Sequence, residues 1–374
     1  MEKNFYLRYI SILLSAIILF FSISFIIIEK EDFSENENRY LEAFPELTFD
    51  KLKEGVFTKE LEDYFADHFP LRDQFMNLRT SFELFIGKTE INQVYIGEDG
   101  YLIEVYQEPT NNDKIIKQIN RLVESVNDAD VIFMLVPTAI TIYEDKLPAY
   151  VSSGKQLETL NEIYGGLSCN TIDVTEALIN QKNTYPLFYR LDHHWTTYGA
   201  YVAYQEFAYN QGFTPLGLDE FQIETVTDDF KGTIYSKVHD YSKNGDEIDL
   251  AFRGSQSLSV NYVDIKKRTD TLYNYDYLNK KDMYSIFLDN IHSLVEITNE
   301  SIDTNDELIV IKDSYGNSMI PFLTNHYKKI YVIDPRYYKE SVSELANKNL
   351  NIKNILILYN LNTIDTDLGI GGIY

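Results

Sequence analysis

ELIVIKDSYGNSMIPFLTNHYKKIYVID, residues 307–334, decides the fold. ELIVIK (307–312) is a continuous apolar run of strand length, the mark of a strand buried on both faces. KIYVID (329–334) is a second. Between them Gly316 permits a tight turn and a helix can begin soon after. The same alternation extends outward in both directions. DVIFMLVP (130–137) and NTIDV (170–174) read as strands upstream, and a helix through SVSELANK followed by NILILYN (354–360) reads as the next helix and strand downstream. Residues 113–127 and TTYGAYVAYQEFAYNQG (196–212) read as helices, the second started by its threonines and ended by Gly212. Strand and helix in alternation predict an α/β fold with a doubly wound, mostly parallel sheet and helices on both faces. Residues 213–300 break the rhythm: polar, tyrosine-rich and strand-like, they read as an insertion that forms part of a cleft wall.

In such sheets ligands bind at the carboxyl ends of the strands, and Ser314 stands at the exit of one. A serine nucleophile needs a base within hydrogen-bond reach, and the base needs a carboxylate to fix its tautomer. RLDHHWTTYG (190–199) offers both. Asp192 and His194 are two apart, so in an extended segment they point to one side, and His193 points away. Trp195 either walls the pair from water or packs in the core. Backbone N–H groups of the turn at Tyr315, Gly316 and Asn317 are candidates for holding an oxyanion or substrate. Arg336, after the next strand, either lines the site or pairs with Asp334 or Asp313. A metal site built on Asp192, His193 and His194 is the rival, but no His-x-x-x-His or Glu pairing accompanies them, and no metal or cofactor is expected. A non-enzymatic polysaccharide-binding protein is a second rival, because a fold does not dictate an activity.

Composition narrows the setting. Of 374 residues, 33 are basic and 58 acidic, a formal charge of −25, which argues against a nucleic-acid groove. The single cysteine, Cys169, excludes an internal disulfide and a cysteine-clustered zinc site. Thirty tyrosines and 22 phenylalanines fit either ordinary half-buried packing or sugar stacking. YISILLSAIILFFSISFIII (9–28) is uncharged, with Lys3 and Arg8 before it and EKEDFSENEN after it. Its length matches a bilayer's hydrocarbon core, and the flanking charges predict the N-terminus inside. A cleaved signal peptide is the alternative, with Ser22-Ile23-Ser24 a weak cleavage site. The expected division is a cytoplasmic tail (1–8), a transmembrane anchor (9–28), a linker with helices and a hairpin (29–110), and a domain (111–374) that holds the candidate catalytic residues and carries the insertion at 213–300. Within 29–110, residues 50–86 carry helical periodicity broken at Pro70, and VYIGEDGYLI (94–103) reads as a hairpin turning at Asp99-Gly100.

YRLDHHWTTYGAY and KDSYGNSMIPFLTNHYKKIYVIDPRYY, with ENRYLEAFPEL and YFADHFPLRD nearer the N-terminus, resemble the DHHW family of exported bacterial proteins. That family is similar to the periplasmic alginate O-acetylation proteins, which are SGNH-hydrolase-like. The resemblance implies a catalytic triad of Ser314, His194 and Asp192. It implies an extracytoplasmic O-acetyltransferase that passes an acetyl group through the serine to a cell-surface or exopolysaccharide. By the same resemblance the acetyl donor arrives through a polytopic membrane O-acyltransferase partner. An acetyl esterase, or a scaffold without catalysis, is the alternative. Two departures stand out. Lys312 replaces the usual glycine before Asp-Ser, and FLDNIHSLV (287–295) lacks a clear Gly-Asn-His, so no side-chain oxyanion donor is identified.

Overall fold

A computed structural model describes residues 2–240, 243–254, 256–365 and 368–372, with backbone only for residues 2–4 (Lys3 of the basic flank among them) and 368. By its contacts the chain forms two units, one of residues 1–88 with 236–242 and one of residues 89–235 with 243–374.

The second unit is built on an eight-stranded sheet. In chain order its strands are β1 Asp130–Val136, β2 Asn170–Ile172, β3 Leu258–Tyr262, β4 Lys267–Thr269, β5 Leu294–Asn299, β6 Glu307–Lys312, β7 Lys329–Ile333 and β8 Ile352–Asn360. Their spatial order is β4-β3-β5-β7-β6-β8-β1-β2. The run from β7 through β6, β8 and β1 to β2 is parallel throughout. β5, β3 and β4 extend it antiparallel. The fold is therefore mixed α/β with a large, mostly parallel sheet.

The continuous apolar runs are explained by burial on both faces. Ile132, Met134 and Val136 of β1, with Leu308 and Val310 of β6, join one core with the helices Thr197–Asn210 and Gly316–Leu323. Val131, Phe133 and Leu135, with Ile309 and Ile311, join another with the helices Asn112–Ser125 and Val342–Lys348. Each such fully buried aliphatic side chain contributes on the order of 1.5–3 kcal/mol. Of the strand-like stretch 213–300, residues 258–299 extend the main sheet, while Gln222–Phe230 and Asp246–Phe252 pair as a separate two-stranded ribbon. Hairpins can add strands to a sheet edge without a crossover helix, which is why helical periodicity is missing there.

A small three-stranded sheet, Glu90–Ile91, Val94–Ile96 and Leu102–Glu104, belongs to the same unit. Its turn uses left-handed backbone at Asp99 (φ 55°) and Gly100 (φ 85°). The first unit holds the helix Glu2–Ile27, whose Phe5–Ile27 portion is long and apolar enough to cross a membrane, and two amphipathic helices, Val56–Asp67 and Arg72–Phe85.

Candidate active site

The loop carrying Asp192 and His194 is closed like a hairpin. Phe188 bridges Trp195, Tyr189 N–H donates to His194 O (3.2 Å) and Thr196 N–H to Leu187 O (2.9 Å). The Thr196 hydroxyl then caps the helix Thr197–Asn210, accepting from Tyr198 N and Gly199 N. Other segments grip the loop from outside. Arg190 O accepts from Leu102 N (2.8 Å), Leu191 O from Tyr235 N (3.0 Å), and Asp246 takes Leu191 N (2.8 Å) and Arg190 Nε (2.7 Å).

Ser314 follows β6 in a turn fixed by Asp313, which is 2% exposed. Its Oδ1 accepts from Tyr315 N (2.8 Å); its Oδ2 accepts from Asn360 N (2.7 Å), Asn360 Nδ2 (2.8 Å) and Thr363 Oγ1 (2.5 Å). The neighbouring strand end thus holds the serine turn. Lys312, where the resembling family has glycine, is buried, and its aliphatic stem lies against Gly316 where a Cβ would otherwise stand. Burial lowers its pKa, against the pull of Asp334 and Asp313.

The two segments meet in a three-residue chain of hydrogen bonds. Ser314 Oγ lies 2.7 Å from His194 Nε2, and His194 Nδ1 lies 2.5 Å from Asp192 Oδ1. Asp192 Oδ1 also accepts the His194 backbone N–H (3.0 Å), while Oδ2 accepts Thr233 N (2.8 Å) and Thr233 Oγ1 (3.1 Å). Burial opposes ionisation of Asp192, but the two imidazoles hold its pKa well below the ordinary value. A carboxylate only accepts, so Nδ1 of His194 carries the proton and Nε2 offers its lone pair to the serine hydroxyl. Burial, then the charge of His193, lowers the pKa of His194, which keeps the ring neutral at pH 7. Gly232 makes room for the Asp192 carboxylate, since a Cβ there would overlap it.

His193 does not point away as the extended reading predicts. Its ring lies 3.8 Å from that of His194, and its Nδ1 is 2.7 Å from Thr233 Oγ1. The Thr233 hydroxyl spends its one proton on Asp192, so Nδ1 of His193 is the donor. Burial works against a charged His193, yet the adjacent Asp192 carboxylate raises its pKa to about 9. The loop turns as Asp192 and His193 both reach Thr233 and the Asp192 carboxylate takes the His194 N–H, which overrides the period-two geometry of a flat strand.

Three aromatic residues lock the segments together. Trp195, fully buried, donates through Nε1 to Tyr315 O and Ser318 Oγ, both at 2.9 Å. Tyr315 donates its hydroxyl to His193 O at 2.5 Å. Tyr284 stacks on His194 (centroids 3.7 Å, interplanar 11°) and donates towards Ser314 O and Ser318 Oγ, both at 3.2 Å. The backbone N–H groups of Tyr315, Gly316 and Asn317 are committed to Asp313 Oδ1, Asp313 O and Ser314 O. Among the described residues, the Ser314 N–H has no acceptor. The Asn317 side chain is 3% exposed and its Oδ1 has no partner. Arg336 is engaged by Asp334, bidentate at 2.9 and 2.6 Å, which is the ion-pair alternative for that residue. Donor atoms of Asp192, His193 and His194 lie within 4.8 Å of one another, but both ring nitrogens of His194 are already engaged. Tyr284, Thr233 and Gly232 carry no sequence signal of their own. Only Asp313 could have been suspected, from its place beside Ser314.

The DHHW protein family profile matches residues 87–333. A search of curated proteins found no match. Among solved structures, a DHHW family protein from Eubacterium siraeum is 22% identical, covers 76% of this chain and 96% of its own, and superposes with a TM-score of 0.65. PatB1 from Bacillus cereus, solved with a sulfonyl adduct, is 17% identical, with coverages of 74% and 97% and a TM-score of 0.61. A second PatB1 structure gives 18%, 72%, 97% and 0.58. These likenesses support the fold.

Proposed function

The chain belongs to the DHHW protein family, and on that footing we propose that it is a membrane-anchored extracytoplasmic O-acetyltransferase of SGNH-hydrolase-like, doubly wound architecture. It acts through an acetyl-serine on a cell-surface or exopolysaccharide. The observation that carries this reading is the chain of hydrogen bonds from Ser314 Oγ through His194 to Asp192, at 2.7 and 2.5 Å.

The chemistry follows from the donors and acceptors. His194 Nε2 takes the Ser314 proton as Oγ bonds to the acetyl carbonyl carbon. Asp192 stabilises the imidazolium that forms. His194 returns the proton to the leaving group, and Ser314 is left as its acetyl ester. A sugar hydroxyl then loses its proton to Nε2 and attacks that ester. The acetyl group moves to the sugar, and Ser314 recovers its proton. The Ser314 N–H, without an acceptor among the described residues, is the donor proposed for the oxyanion. Tyr284 lies flat on the imidazole and shields that face from water. Trp195 and Tyr315 position the two segments. The acetyl group is supplied by a polytopic membrane O-acyltransferase, and the helix Phe5–Ile27 anchors the enzyme beside it, N-terminus in.

The test treats the chain with phenylmethylsulfonyl fluoride, because PatB1 accepts a sulfonyl adduct. A sulfonyl mass on the peptide containing Ser314, absent from Ser314→Ala and strongly reduced in His194→Ala, is expected. Acetyl release from p-nitrophenyl acetate is then followed with and without oligosaccharide acceptors. Transfer to sugar supports the acetyltransferase; release to water alone points to an esterase. No adduct and equal release in wild type, Ser314→Ala and His194→Ala leaves a binding role.

A further inference from the structure

We infer that the helices Val56–Asp67 and Arg72–Phe85 lie in the outer membrane–water interface, as a second, non-spanning contact with lipid beside the anchor. The inference rests on the anchor reading above and goes beyond it. Phe21 stacks on Phe69 (5.1 Å, 24°) and meets Phe75 at 6.1 Å; Phe25 meets Phe65 at 5.1 Å and Tyr64 at 6.2 Å. These contacts fix depth. At 1.5 Å per residue, Phe21 sits about 9 Å and Phe25 about 3 Å inside the end of a span that finishes at Ile27. Whatever touches Phe21 and Phe25 shares that depth. It is also the depth, roughly 5–10 Å, to which interfacial amphipathic helices bury their apolar face.

Polarity changes where such a seating requires. Beyond the end of the apolar run, Lys30 turns back to Phe25 O (2.6 Å) with its ammonium 3.6 Å from the Phe25 ring centroid. Arg39 binds Asp67 in a bidentate pair (2.9 and 2.5 Å), and Arg72 pairs with Glu37. These pairs gather at the facing ends of the two helices, Asp67 and Arg72, on either side of the short turn that carries Phe69. Along Arg72–Phe85 the apolar positions Phe75, Leu78, Phe82 and Phe85 recur at helical spacing and are 46%, 64%, 60% and 86% exposed. Water disfavours such a stripe, and soluble surfaces rarely keep one. Its flanking charges balance, Arg72 and Arg79 against Asp73 and Glu83, so an uncharged lipid surface suffices.

The experiment uses the full chain with Cys169→Ala, spin-labelled singly at Leu78→Cys, Phe82→Cys, Ile17→Cys or Ser152→Cys, in phosphatidylcholine nanodiscs. Ile17 reports the anchor, and Ser152, exposed in the other unit, reports water. Power saturation measures access to dissolved oxygen and to water-soluble nickel-EDDA. Labels at 78 and 82 are expected to lose nickel access and gain oxygen access, as at 17. Nickel access equal to that at 152 overturns the inference while leaving the anchor intact. Low access to both agents means that a protein or a second copy covers the stripe, and overturns it too. A water-like label at 17 removes the anchor and the inference together, without bearing on the chemistry at Ser314.

Discussion

Aromatic rings are used in opposite ways in the two units. Around Ser314, Trp195, Tyr284 and Tyr315 are buried, and each polar tip is spent on a backbone carbonyl, with Ser318 Oγ shared by two of them. In the N-terminal unit the rings of Phe69, Phe75, Phe82 and Phe85 have no polar tip and stay substantially exposed. The first set ties segments distant in sequence to one another, because a buried hydrogen bond left unmade costs about 1–3 kcal/mol. The second set has nothing to lock and gains only by leaving water. The difference teaches that aromatic abundance in this sequence has two causes, one set by precision and one by solvent.

The comparison can be broken most severely at Asp192. Asp192→Asn keeps the shape but lets the amide donate, so His194 loses its required tautomer; acetyl-group release is expected to fall about 10⁴-fold with the melting temperature little changed. A loss of less than tenfold would mean that precision is not what the buried set supplies. Gly232→Ala pushes a methyl group into the Asp192 carboxylate. Because an ångström of misplacement costs about 10²-fold, kcat should drop by that order while KM for the acceptor holds.

His193 sharpens the comparison through pH. His194 titrates below the usual histidine value, partly because His193 is charged, and His193 keeps its charge until about pH 9. Activity should therefore rise with pH through a midpoint below about 6.5 and be level at neutrality. His193→Gln removes the repulsion, so protonation of His194 becomes easier and that midpoint moves up. At mildly acidic pH the variant should run on the order of 3- to 10-fold slower than wild type, and equal it near pH 8. The smallest effect belongs to the other unit. Phe82→Ser in detergent should change stability by no more than about 0.5 kcal/mol, since that ring is 60% exposed. A large loss there would show that the exposed rings are packing after all.

Much of the frame was legible in the chain itself. β6 begins and ends where its apolar run does, Glu307–Lys312, and Thr196 caps the helix that the threonines announced. Asp192, His194 and Ser314 could be nominated because the chemistry of a nucleophile, a base and an orienting carboxylate restricts residue types. What could not be read is any contact that joins distant segments through groups with many uses. Tyr284 is one tyrosine among 30, and nothing local marks it as the ring that lies on His194. His193 departs from the alternation of a flat strand because Thr233, 40 positions on, turns the loop. Arg336 had two open fates, and Asp334 beside it took the guanidinium.

By itself, then, the sequence determined the alternation of strands and helices outside 213–300, the apolar run at the N-terminus and the three residue types fit for acyl transfer, because period, length and side-chain chemistry are local properties. Tertiary structure alone decided that Ser314 stands 2.7 Å from a histidine 120 positions earlier, that one ring shields that histidine, and which nitrogen carries its proton. Those are set by a strand-end turn meeting a hairpin-like loop from another part of the chain and by buried polar groups that must find partners together, and neither condition exists until the chain has folded.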